Sequence, residues 1–137
     1  ILINKPMDAD SVIAPFLLQS DVNTFAAIVN YWISQGDTKH LTWISDQMNQ
    51  FSSTELYPVM GLYSAYLVSV SESEQKNVLP QIKRWLLENP LIAVRYGAMQ
   101  LAQNLAHLPE ANQMIQQAVQ EEKDAFLQSV YSNLKSE

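Results

Sequence analysis

Residues 78–105 run Val78-Leu-Pro-Gln-Ile-Lys-Arg-Trp-Leu-Leu-Glu-Asn-Pro-Leu-Ile-Ala-Val-Arg-Tyr-Gly-Ala-Met-Gln-Leu-Ala-Gln-Asn-Leu105. Val78, Leu79, Ile82, Leu86 and Leu87 recur at three- and four-residue intervals, the period of one helix face. Glu88-Asn89-Pro90 interrupts that pattern. Asn is a favoured N-cap. Pro is favoured at the first helical position, since its missing N–H is one that a helix start leaves unpaired anyway. Leu91, Val94, Ala98, Leu101, Ala102 and Leu105 then set up the same period again. The stretch is two helices joined by a short turn, and neither can bury its apolar stripe alone. Pro80 falls inside the first helix, where it removes a backbone donor and bends the axis.

Working outward, the same punctuation repeats. Ser71 to Glu74 has capping-box spacing and starts the helix expected over 72–88. Ser52 to Glu55 has it too, opening a helix with Leu56, Met60, Tyr63, Leu67 and Val70 toward the core. Before that, Gly36 is a natural helix terminator and Asp37 a new N-cap, with His40 in the first turn and Leu41, Ile44, Met48 and Phe51 apolar. Asp21 caps a helix whose broad face holds Phe25, Ile28, Val29, Trp32 and Ile33. A short helix is expected over 11–19, with Pro15 inside it, after an extended linker over 1–10. Toward the C-terminus, Leu108-Pro109 is a further break. The pattern over 110–134 is helical and fits either one long helix or two that part at Glu121-Glu122-Lys123-Asp124, the second by analogy with the earlier pairs. Only three glycines occur and no β-branched cluster alternates, so no strand is expected.

The turns within successive pairs fall near Asp21, Ser53, Asn89 and Lys123, separated by about 32, 36 and 34 residues, the period range of helical repeat arrays. The unit at 78–105 resembles a HEAT repeat: Pro80 stands where that family has its kink, Val94-Arg95 matches its Val-Arg pair, and Ala98, Leu101 and Leu105 match its second helix. At the turn this chain has Glu88-Asn89-Pro90 where the family commonly has Asp. The resemblance implies an all-α fold of the HEAT-like or armadillo-like kind, a right-handed stack of antiparallel helix pairs forming an α–α superhelix of about seven or eight helices. It also implies that Arg95 braces the turn together with Pro80 and Pro90 as structural residues. The Arg95 guanidinium is then expected to bond turn carbonyls or Glu88.

A chain of 137 residues suits a single domain, expected over 11–135. It begins with Ile1, so excision from a larger protein is expected. Without cysteine there is no disulfide, thiol chemistry or thiolate metal site, and the compartment stays open. No apolar run approaches the roughly 20 residues of a bilayer span, so membrane insertion is not expected. A net charge of −6 argues against nucleic acid as a partner, which needs a basic footprint. The charge is uneven. Residues 1–75 hold two basic and eight acidic groups, whereas 76–109 hold Lys76, Lys83, Arg84 and Arg95 against Glu88 alone. Lys76, Lys83 and Arg84 therefore form a candidate patch for an acidic partner, or an ordinary solvated helix face.

Residues that carry chemistry are sparse. His40 and His107 lie far apart and outside any metal-ligand spacing. No Gly-x-Ser-x-Gly elbow and no glycine-rich phosphate loop occurs. Glu121-Glu122-x-Asp124 lacks the alternating oxygens and turn glycine of a calcium loop. No catalytic residue, metal or cofactor is expected. Tyr57, Met60, Tyr63 and Tyr66, with Tyr31 and Trp32, fit either core packing or an amphipathic groove rich in interface residue types. The expectation is a non-catalytic protein-interaction or scaffolding domain whose partner is another protein or the rest of its own parent chain. The alternative is a helical accessory domain of a larger enzyme, since M1-type metallopeptidases resemble this chain in carrying HEAT-like C-terminal domains.

Overall fold

A computed structural model describes residues 21–135. The linker expected over 1–10 and the helix expected over 11–19 lie outside the described residues. The described chain is helical throughout and contains no strand. Its helices are α1 (Val22–Gln35), α2 (Leu41–Gln50), α3 (Ser53–Leu56), α4 (Met60–Leu67), α5 (Glu72–Glu88), α6 (Ile92–Asn104), α7 (Pro109–Glu121) and α8 (Ala125–Lys135). A 3-10 turn at Tyr57–Val59 joins α3 to α4. The single helix expected there is thus interrupted at Pro58, which cannot donate the next helical hydrogen bond. Leu56, Met60, Tyr63, Leu67 and Val70 are nonetheless all buried, as their spacing demands.

Local caps explain most boundaries. Asp21 accepts the Thr24 N–H at 2.7 Å, and that bond holds its carboxyl below the usual range. Ser52 and Glu55 form a complete capping box. Ser71 makes only half of one: its hydroxyl accepts the Glu74 N–H but donates to the Glu74 carboxylate, which does not reach back to the backbone. Gly36 ends α1 in the left-handed conformation, at φ +66°, with its N–H on Ile33 O.

Two starts differ from the sequence expectation. Asp37 does not cap α2. The helix begins at Leu41, because Asp37 bonds the Lys39 N–H and the His40 ring while the His40 N–H donates to Tyr66 Oη at 2.9 Å. Nor does Pro90 open α6. Asn89 Oδ1 accepts the Leu91 N–H at 2.9 Å, so the turn extends through Pro90 and the helix starts at Ile92. Of the two arrangements open for the C-terminal stretch, the structure has two helices: residues 109–135 part into α7 and α8 across Glu122-Lys123-Asp124.

With α3 and α4 counted as one interrupted helix, helices two places apart lie side by side. One rank runs from α1 to α4 to α6, the other from α2 to α5 to α7, and α5 packs closely on α6 between them. A continuous core fills the space, from Phe25 and Trp32 through Tyr63 and Leu86 to Leu127 and Tyr131. At the α4–α6 crossing Gly97 leaves room for the Met60 side chain, since a Cβ there would lie 2.8 Å from Met60 Sδ. Pro80 sits inside α5 without ending it. It is on the exposed side of the helix, where Lys76 one turn earlier is exposed too.

Because α5 is covered on several sides, it carries two buried polar side chains, Gln75 and Gln81. Gln81 Oε1 accepts from Ser45 Oγ at 2.8 Å and Tyr63 Oη at 2.7 Å. Its Nε2 donates to Ser45 O at 2.8 Å and Asn49 Oδ1 at 2.9 Å. Gln75 donates to Leu67 O at 2.9 Å, closing the end of α4, and its Oε1 meets His107 Nε2 at 2.9 Å.

Buried phenols make the fold sensitive to base. Burial raises the pKa of Tyr63, and that of Tyr66 against the opposing bond from the His40 N–H. Burial, reinforced by the Glu122 carboxylate and opposed by Arg95, pushes Tyr131 up to about 12. A raised tyrosine pKa means that the unfolded chain loses its proton first. The stability these phenols supply is fully present below about pH 10 and is lost as pH climbs toward 12. Helicity at 222 nm is expected to collapse in that window, together with the tyrosinate absorbance rise. Phenol ionisation near pH 10 with helicity intact through pH 12 would contradict it.

Candidate partner-binding face

The helices of the two ranks differ in charge. α2, α5 and α7 carry Asp46, Glu72, Glu74, Lys76, Lys83, Arg84, Glu88, Glu110 and Glu121. α1 and α4 carry no charged residue, and α6 carries only Arg95. Each helix of the uncharged rank leaves a stripe in water at helical spacing. On α1 it is Asn23, Ala27, Asn30 and Ser34. Along the 3-10 turn and α4 it is Tyr57, Gly61, Ala65 and Val68. On α6 it is Ile92, Gln100 and Asn104, with Tyr96 half-buried between them. Tyr57 is 51% exposed and Val68 60%, so the face offers apolar and aromatic groups as well as amides and hydroxyls. Interface cores favour this composition, in which charged residues are scarce and aromatics enriched.

A groove of about 660 Å³ opens between α4 and α6 on this face. Tyr57, Pro58, Gly61 and Ser64 form one side, and Gly97, Gln100, Gln103 and Asn104 the other. Asn104 Nδ2 donates to Ser64 Oγ at 2.6 Å across it. Gln100 Nε2 donates to Tyr96 Oη at 3.2 Å, and none of the described residues that line the groove is charged.

Comparison with protein-family models, curated proteins and solved structures gives no match to this chain.

The residues singled out in the sequence fall elsewhere. Lys76, Lys83 and Arg84 lie on the exposed side of α5, and none makes an ion pair within the described residues. Arg95 is half-buried and looks inward. Its Nη1 donates to Asn89 O at 2.7 Å. Nε and Nη2 each meet a Glu122 carboxylate oxygen at 3.1 Å. The turn carbonyl is one of the partners expected, but the acid is Glu122 and not Glu88, which is exposed. Pro80 and Pro90 are both exposed.

His40 stacks on the Trp32 indole, with ring centroids 3.7 Å apart, and its Nε2 lies 2.9 Å from Asp37 Oδ2. Burial pushes the Asp37 carboxyl up, but bonds from the His40 ring and the Lys39 N–H outweigh it and leave the pKa lowered. His107 is tied to Gln75. The two histidines therefore serve separate structural contacts, and the described residues contain no cluster of acids and histidines fit to hold a metal. Of the aromatics, Trp32, Tyr63 and Tyr66 are core, Tyr31 is half-buried, and Tyr57 lines the groove. No helix among the described residues is long and apolar enough to cross a membrane.

The uncharged face was not anticipated from sequence, although its signal is there. Residues 22–36 and 56–71 contain no charged side chain at all. What the sequence does not say is that these two segments become neighbours.

Proposed function

We propose that this chain is a non-catalytic interaction domain of HEAT-like or armadillo-like architecture, which engages a protein partner on the α1–α4–α6 face. The partner is a separate protein or the rest of a longer parent chain. The observation that carries the proposal is the lack of exposed charge on α1, α4 and α6, whose one charged side chain, Arg95, is turned to Asn89 and Glu122, in a chain of net charge −6. A helix face kept in water for solubility alone is usually dressed with Lys and Glu. Three adjacent helices without them cost less to desolvate against another protein. The side-by-side packing of every second helix supports the repeat architecture. Its right-handed superhelical course belongs to the same proposal.

The test is site-specific photo-cross-linking in an extract of the source cells. A photoreactive residue at Asn30 or Gln100 is expected to capture a discrete partner band, and one at Gln116 on α7 is not. Gln100→Lys should abolish capture, and raising salt to about 0.5 M should leave it intact, since no exposed ion pair is being screened. Equal capture from both ranks would refute the face. Capture lost in salt and in Lys83→Glu/Arg84→Glu would move the site to the basic side of α5.

A further inference from the structure

The large apolar side chains that the described residues hold in water are Tyr57, Val68, Ile92 and Phe126. All but Phe126 lie on the α1–α4–α6 face, and they stand at its two ends. Tyr57 comes just before α4, and Val68 ends that helix about 17 Å further along the axis. Met60 meets Gly97 and Ser64 meets Asn104, so α4 and α6 run in the same direction. Ile92, at the start of α6, therefore belongs to the Tyr57 end. The exposed order along α4 is Tyr57, Gly61, Ala65, Val68, bulky at both ends and low in the middle. That order reads alike in both directions, so an antiparallel copy of the same face matches it zone by zone.

We infer that the partner on this face is a second copy of the chain, its helices antiparallel to the first about a twofold axis crossing α4 between Gly61 and Ala65. The inference rests on the proposed interaction role and names the partner. Tyr57 of one copy then lies against the partner's Val68, and the twofold repeats that contact at the other end. Exposed apolar groups are thus buried by apolar groups. On α1 the amides of Asn23 and Asn30 each donate and accept, so they can pair with amides of their own kind. Charge favours the same choice. Two chains of net charge −6 repel each other, and they do so least where the contact itself holds no exposed charge. Three helices about 20 Å long, set about 9 Å apart, present on the order of 600 Å². That is below the ~800 Å² per partner of a standard interface, so the dimer is weak and reversible.

The experiment is sedimentation velocity of the purified chain from about 1 μM to about 500 μM, which spans the affinities of weak interfaces. A monomer–dimer equilibrium is expected. The dimer should tighten between about 0.05 M and about 0.5 M salt, because screening relieves the repulsion between two acidic chains and breaks no ion pair. Val68→Glu buries a carboxylate twice in the dimer and should weaken it at least tenfold. Gln100→Glu should do the same from α6. Gln116→Glu adds the same charge on α7 and should leave the dimer near wild type. Val68 and Gln100 are exposed, so all three variants should keep wild-type helicity. A monomer at every concentration and salt would overturn the inference. So would a dimer that loosens in salt, or one that survives both Val68→Glu and Gln100→Glu. If the chain stays monomeric while cross-linking from Asn30 or Gln100 captures a different protein, the face stands and the second copy alone is wrong.

Discussion

Replacing Glu122 by alanine should cost about 3 kcal/mol, the lower end of the range for removing one partner from a buried ion pair. The Glu122 side chain is 6% exposed and that of Arg95 16%, and the two meet through a pair of 3.1 Å contacts. Without the carboxylate, a guanidinium with little access to water keeps only the Asn89 carbonyl. The Asp124 N–H, which Glu122 also accepts at 2.9 Å, is freed at the same time, loosening the α7–α8 turn. For a chain of this size the loss is a drop of roughly 10–15 °C in melting temperature. Arg95→Ala should fall in the same range, because it strands the more deeply buried member. The double substitution Arg95→Met/Glu122→Leu should be much milder than the sum of the single losses, since no unpaired charge remains. Additive losses in a double-mutant cycle by chemical denaturation would show that the pair is not a coupled unit.

The second large effect is expected at Gln81. Gln81→Leu is nearly isosteric, so it tests polar satisfaction more than volume. It orphans the Tyr63 hydroxyl, which sits in the core at 1% exposure, and removes the bond to the Ser45 hydroxyl. The expected loss is about 2–3 kcal/mol, the range for a buried donor left unpaired plus a lost hydrogen bond. Adding Tyr63→Phe should recover part of it, because taking away both partners leaves nothing unsatisfied. Tyr63→Phe alone should be the mildest of the three, since Gln81 Oε1 retains Ser45. The three melting curves decide the matter. A Gln81→Leu protein as stable as wild type would mean that the network joining α2, α4 and α5 contributes no net stability.

What the sequence by itself determined is the set of helices and most of their ends. Capping acts over two to four residues, so Asp21, Gly36, Ser52 with Glu55, Ser71 and Pro109 mark helix boundaries in any fold that contains them. Apolar spacing likewise chose the buried side of each helix, and Val78, Ile82, Val94, Ala98 and Leu101 are all in the core. The two late helix starts belong to the same local chemistry. At Asp37 and Asn89 a side chain that can cap a helix can equally close a turn one or two residues earlier, and only the surrounding contacts choose.

Tertiary structure decided everything that joins residues far apart in the chain. Arg95 finds Glu122 across 27 positions, and Gln81 finds Ser45 across 36. No local pattern marks Gln81 as different from the glutamines of α7, which lie in water or half so. The candidate face is the clearest case. Uncharged segments were visible at 22–36 and 56–71, but their meaning depends on α1, α4 and α6 lying side by side. That arrangement follows from how apolar stripes on separate helices bury one another. Burial has no direction in the sequence, so the pairing is set by the shape of the whole core.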